Sequence, residues 1–194
     1  MVDELKLAIS NLEERVDLNE IMTIKDKSLK DSIKRELKLS SDNITIGDMY
    51  KLTKLSVVGS WISSLEGLQY AKNLETLNLN YNEIQDLSQL SSLRKLTDIS
   101  VIEQYIAVGM AYVTDGKVTI DEEVIDITGE KMMPKKVLIA NVEGSKTIDA
   151  ISVIEDNKIS IDKGLLYSGV NSVSLIYQSL DGKYEATTIY MLMN

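Results

Sequence analysis

A repeat constrains this chain more than any other feature. In the stretch LETLNLNYNEI, apolar residues fall at Leu74, Leu77, Leu79 and Ile84, and Asn82 sits before the last of them. Subtracting 22 from each number gives Leu52, Leu55, Val57 and Ile62, with Ser60 in the asparagine slot. Adding 22 gives Leu96, Ile99, Val101 and Ile106, with Gln104 in that slot. Agreement at so many positions with one period marks three copies of a unit that cannot bury its apolar face alone and must stack.

The pattern LxxLxLxxNxI is the leucine-rich repeat pattern, and 22 residues lies inside its usual period. Each copy should form a short strand with its central L-x-L turned inward. A buried asparagine amide there can satisfy the carbonyl and amide groups that the following turn leaves unpaired.

Both open ends of such a stack need covering. Upstream, Leu29, Ile33 and Leu37 repeat at i, i+4, i+8, one apolar face of a helix. Thr45 and Asp48 have capping-box spacing, and Met49 and Leu52 lead into the first repeat. Leu5, Ile9, Leu12 and Val16 suggest a further amphipathic helix. Downstream of residue 106 the texture becomes short β-rich runs broken by Asp115-Gly116, Asp156-Asn157 and Asp181-Gly182, which are hairpin signals. Pro134 is placed in a loop between runs.

The fold expected is α+β: a short leucine-rich repeat solenoid with an N-terminal helical cap, followed by an all-β Ig-like sandwich. Its divisions are 1–43 for the helical region and cap, 44–106 for the repeats and 107–194 for the sandwich.

Composition narrows the function. The chain has no cysteine and no histidine, which removes disulfides, thiolate metal sites and imidazole acid–base chemistry. Net charge is -9 with no dense basic stripe, so neither nucleic acid nor an anionic membrane surface is an expected partner. No apolar run approaches the roughly 20 residues a membrane helix needs, so no membrane insertion is expected. The densest acidic cluster, Asp121, Glu122, Glu123 and Asp126, lacks calcium-loop spacing and reads as a solvated hairpin edge. No catalytic residue, metal or cofactor is assigned, and the chain is read as a non-enzyme. The opening MVDELKLAISNLEER lacks the basic start and apolar core of an export signal.

Helical cap, 22-residue repeats and β-rich continuation together resemble the internalin-type leucine-rich repeat proteins of Gram-positive bacteria. The resemblance rests on SLEGLQYAKNLETLNLNYNEIQDLSQLSSLRKLTDIS, with VTIDEEVIDITGEKMMP similar to the start of the family's Ig-like domain. It implies a surface or secreted protein that adheres to a protein partner, or to a glycan, on the concave face of the stacked strands. The alternatives are a structural spacer with no ligand of its own and, for location, the cytoplasm.

Strand alternation sets the expected recognition face. It comprises Lys54, Ser56 and Val58 on the first repeat, Thr76, Asn78 and Asn80 on the second, and Asp98, Ser100 and Ile102 on the third. Trp61, Tyr81 and Tyr105 fall in the turns after these strands and form an aromatic edge. Trp61 and Tyr105 share one register, whereas Tyr81 precedes its slot by two residues.

Overall fold

A computed structural model describes residues 16–121, 123–141, 144–149, 153–155, 158–166 and 171–193. The expected helix over Leu5, Ile9 and Leu12 lies outside these residues; Val16, its last position, is exposed.

The described chain begins with two short strands, β1 (Ile21–Met22) and β2 (Ile44–Thr45), paired antiparallel. Between them runs α1 (Lys27–Glu36), the one helix of substantial length among the described residues. Asp26 caps it: Oδ1 accepts the Leu29 N–H at 3.0 Å, and Oδ2 accepts the Ser63 N–H at 3.0 Å. One carboxylate thus starts the helix and fixes it to the first repeat's turn. The helix turns Leu29 and Ile33 inward, both fully buried. The second helix, α2 (Ile46–Met49), is a single turn. Its capping box is closed in both directions between Thr45 and Asp48, at 3.1 Å each way.

The repeat strands follow: β3 (Lys54–Ser56), β4 (Thr76–Asn78) and β5 (Asp98–Thr114). They pair in parallel, with Leu55 beside Leu77 and Leu77 beside Ile99. The 22-residue period is therefore the inter-strand register. Gly67 holds the first return turn at φ +102; a Cβ there would stand 2.8 Å from Ile24 Cγ1. Only glycine fits both conditions.

β5 does not stop where the third repeat should end. It runs for 17 residues, across the expected boundary at 106/107, and then turns through Asp115 (φ +51) and Gly116 (φ +79) into β6 (Lys117–Ile120). The remaining strands are β7 (Val124–Ile125), β8 (Lys131–Met132), β9 (Lys136–Asn141), β10 (Gly144–Asp149), β11 (Ile154–Glu155), β12 (Lys158–Asp162), β13 (Asn171–Gln178) and β14 (Tyr184–Met193). They join β5 in the order β10-β9-β13-β14-β5-β6-β12-β11, while β3 and β4 branch from the same strand. β14 lies parallel to β5, from Tyr184 beside Val101 to Met193 beside Tyr112. One continuous core runs from Leu29 and Ile33 through Leu55, Leu77 and Val101 to Val173 and Leu175.

This corrects the expected α+β architecture of capped solenoid plus separate sandwich. The described chain is mostly β, with two short helices and a mixed parallel and antiparallel sheet. The physical reason is β5: its apolar sequence continues past Ile106 to Val113, so the strand joins the repeat layer to the later sheet without a seam. The N-terminal cover combines one ten-residue helix, a two-strand pair and a single helical turn, and is not a helical cap. The Asp156-Asn157 hairpin signal lies outside the described residues.

Candidate functional site

The interior side of the repeat strands is satisfied by two amides. Asn82 is 2% exposed; its Oδ1 accepts the N–H groups of Ser60 and Ile62 at 3.0 and 3.1 Å, and its Nδ2 donates to Val57 O and Leu79 O at 2.7 and 2.9 Å. Gln104 repeats the device one turn on, accepting from Ile84 N and donating to Leu79 O and Ile102 O at 3.1, 2.9 and 2.9 Å. Each amide therefore closes the turn of the preceding repeat. The Ser60 side chain makes a local bond, its hydroxyl donating to Val58 O at 3.2 Å.

The outward side carries the expected face. Lys54, Ser56, Val58 and Asp98 are exposed, while Thr76, Asn78, Asn80, Ser100 and Ile102 are half-buried. Three of these polar groups are already engaged with one another. Asn80 Oδ1 accepts from Ile102 N at 3.0 Å and from Ser100 Oγ at 2.8 Å, and Asn78 Oδ1 accepts from Asn80 N at 3.1 Å. Through these oxygens Asn78, Asn80 and Ser100 brace the strands. Among the described residues, Lys54, Ser56, Thr76 and Asp98 are the outward polar side chains without an internal bond.

The three aromatic residues converge. Trp61, Tyr81 and Tyr105 line one cleft of about 320 Å³ with Gly59, Asn82 and Glu83. They are 77%, 56% and 52% exposed, so none is a packing residue of the cover or of the later sheet. Tyr81 reaches the cleft despite its offset because its backbone is left-handed, at φ +60. Gly59 (φ +59) and Glu103 (φ +58) hold the same position one repeat before and after, and Trp61 is left-handed too, at φ +58. Sequence comparison misses this column because Gly59, Tyr81 and Glu103 share no side-chain chemistry. The spacing of 22 alone could have found it.

One carboxylate, Glu83, lines the cleft, and a second, Glu103, bonds a lining tyrosine. The Tyr105 hydroxyl donates to Glu103 Oε2 at 2.6 Å. That bond, aided by partial burial and the carboxylates of Glu103 and Glu185, raises the phenol above its ordinary 10.0.

A second cavity, of about 460 Å³, lies where Leu87, Leu96 and Ile99 meet Met132, Leu180 and Tyr184. Its carboxylates are spent on their own loops. Asp126 Oδ1 accepts from the Thr128 hydroxyl and the N–H groups of Thr128 and Glu130, and Asp181 Oδ1 accepts from Ser179 Oγ and Lys183 N. In the acidic cluster, Asp121 pairs with Lys131 and Lys158 at 3.0 and 2.8 Å, and Glu122 lies outside the described residues. Among the described residues no three acidic side chains gather as a metal site would require, and no helix is long and apolar enough to cross a membrane.

Fold and face together define a β-rich domain in which parallel repeat strands run into a mixed sheet and present an exposed aromatic edge. No family model matches the sequence, and no curated protein matches it. Among solved structures it is similar to the CBM51-2 and INT domains of ZmpB from Clostridium perfringens, with a TM-score of 0.80 and 34% identity over 99% of this chain and 40% of that one. The ZmpB CBM51-2 in complex with GlcNAc, with the INT domains, matches at a TM-score of 0.79 and 34% identity, over 98% and 39% of the two chains. The functional domain of InlJ from Listeria monocytogenes, which includes a cysteine ladder, shares the fold at a TM-score of 0.53 and 14% identity, over 77% and 36%. Other internalin and internalin-like structures of that species match over part of the chain. The chain spans about two fifths of the ZmpB structures. A likeness to these β domains over nearly the whole chain agrees with the mixed-sheet architecture and not with a capped solenoid.

Proposed function

We propose that this chain is a non-enzymatic binding module of a surface or secreted bacterial protein. Residues 44–106 carry the recognition face and residues 107–194 support it. The partner is a protein, taken on the outward side of β3, β4 and β5 and anchored by Trp61, Tyr81 and Tyr105.

The observation that carries this reading is the cost of the aromatic edge. Trp61 and Tyr81 combine a left-handed backbone with a largely exposed ring. Left-handed non-glycine residues cost of order 1–3 kcal/mol, and an exposed ring contributes little in return. Neither residue is explained by stability, whereas large aromatic anchors are what interfaces use. The strand face is three residues tall on each of β3 and β4, and the cleft adds area toward the roughly 800 Å² per partner of a standard interface.

A glycan is the second reading. It is favoured by three rings around one open cleft and by the GlcNAc held in the related ZmpB structure. The two readings separate by mutation. Ser56→Arg with Thr76→Arg blocks the strand face without touching the bonds among Asn78, Asn80 and Ser100. Trp61→Ala with Tyr105→Ala opens the cleft. A protein partner captured by the wild type should be lost with either pair. A glycan-array signal should be lost with the aromatic pair alone. Capture unaffected by both pairs would overturn this face and cleft as the site, and no capture by the wild type would leave the spacer reading standing.

A further inference from the structure

We propose that the open edge of β5 takes up a short extended peptide of basic and apolar residues as an added strand. This site is distinct from the repeat face. β14 covers one edge of β5 through Tyr112, whereas β4 and the turn after it cover the other as far as Tyr105, whose N–H donates to Asn82 O at 3.0 Å. β6 meets β5 only at Val113 and Thr114, and pairs with β12 along its whole length on its other edge. Among the described residues, no strand pairs with the second edge between Ala107 and Tyr112.

Backbone direction follows from the turn. Thr114 pairs with Lys117 across the two-residue loop, so its amide and carbonyl face β6. Alternation then turns those of Tyr112 and Met110 to the same, open side. The register shift beside Gly109 (φ +127) ends this run, so the exposed ladder is short.

The side chains along it are apolar. Val108, Met110 and Tyr112 are 38%, 61% and 62% exposed. Edge strands are ordinarily guarded by lysine or by inward-pointing charge. No basic residue lies between Asp98 and Gly116, and the carboxylates flanking the run in sequence are Glu103, on the Tyr105 hydroxyl, and Asp115, in the turn that follows. Unpaired amides and carbonyls call for another strand, the apolar face for alternate apolar side chains, and the flanking carboxylates for lysine or arginine at the ends. A second copy fits poorly: an antiparallel pairing centred on Gly109 sets Glu103 against Asp115, between chains of net charge -9.

The test is residue-resolved amide exchange on the full chain, first alone and then with twelve-residue peptides enriched on it from a random phage-displayed library. In the free chain, Met110 and Tyr112 should exchange at least about 100-fold faster than Ala111, whose register partner is Leu192 on β14. Enriched peptides should alternate apolar residues with lysine or arginine and should slow those two amides selectively. Met110→Pro removes one edge donor and should weaken them about tenfold; the protection pattern tests the same point without a variant. Slow exchange in the free chain, protection that grows with protein concentration, or peptides that leave both amides unprotected would each overturn the proposal.

Discussion

The hydroxyl of Tyr184 donates to the carbonyl of Ile84 at 3.0 Å, a buried bond between residues 100 positions apart. Tyr184 opens β14 and Ile84 closes the turn of the second repeat, so the bond ties the last strand to the repeat layer. Tyr184→Phe leaves the ring in place and orphans the carbonyl, and should cost about 1–2 kcal/mol. Because β5 is common to both layers, chemical denaturation should remain a single transition in wild type and variant alike. Two separated transitions, followed by circular dichroism and Trp61 fluorescence, would contradict this.

Asn82 and Gln104 close successive turns, and their removal should be costly in proportion to the groups left unpaired. Asn82→Ala strands two amides and two carbonyls in the interior. We expect a loss of about 3 kcal/mol or more, and about 2 kcal/mol for Gln104→Ala, read from urea midpoints. Asn82→Asp should be no milder, since a carboxylate cannot donate to Val57 O and Leu79 O.

Tyr81→Gly separates stability from recognition. Glycine relieves the left-handed backbone at φ +60 and removes a ring that is 56% exposed. Thermal stability should hold or rise by up to about 1 kcal/mol. Partner capture should fall. A variant that is markedly destabilised would show that the ring packs after all.

Thr188 is fully buried, and its hydroxyl has no hydrogen-bond partner among the described residues. Thr188→Val keeps the shape and removes the unsatisfied group. We expect a gain of up to about 1 kcal/mol, measured as a higher melting temperature.

Asp48 links stability to pH. Its hydrogen bond from Lys51, opposed by partial burial and aided by the Thr45 hydroxyl and amide, holds its carboxyl below the ordinary 3.8. The unfolded chain therefore binds this proton more readily, so the contribution is complete above pH 3.8 and is lost as pH falls further through the depressed folded value. Asp48→Asn should be less stable than wild type at pH 6, and the gap should narrow at pH 3. A constant gap would place the effect in packing.

Much of the repeat layer was legible because its physics is local and periodic. The spacing of Leu55, Leu77 and Ile99 gave the strand register directly, and the capping box at Thr45 and Asp48 follows from residues three apart. The convergence of Trp61, Tyr81 and Tyr105 was readable to within the two-residue offset that Tyr81 absorbs in its backbone. What escaped was non-local. Nothing in the sequence near Ile106 says that β5 continues, because an apolar run reads the same inside one domain or across two. The parallel seating of β14 on β5 joins segments some 80 residues apart and leaves no local mark. The bonds among Asn78, Asn80 and Ser100 were hidden for another reason: strand alternation gives the side a residue faces, not the neighbour it bonds.

The parallel seating of β14 on β5 also has a mechanical meaning. Tension applied between the start of β5 and the end of β14 runs along both strands, so their cross-links are loaded in shear and must yield together instead of unzipping one at a time. A module built this way resists being torn open by flow or by a pulling partner, most strongly along that one axis.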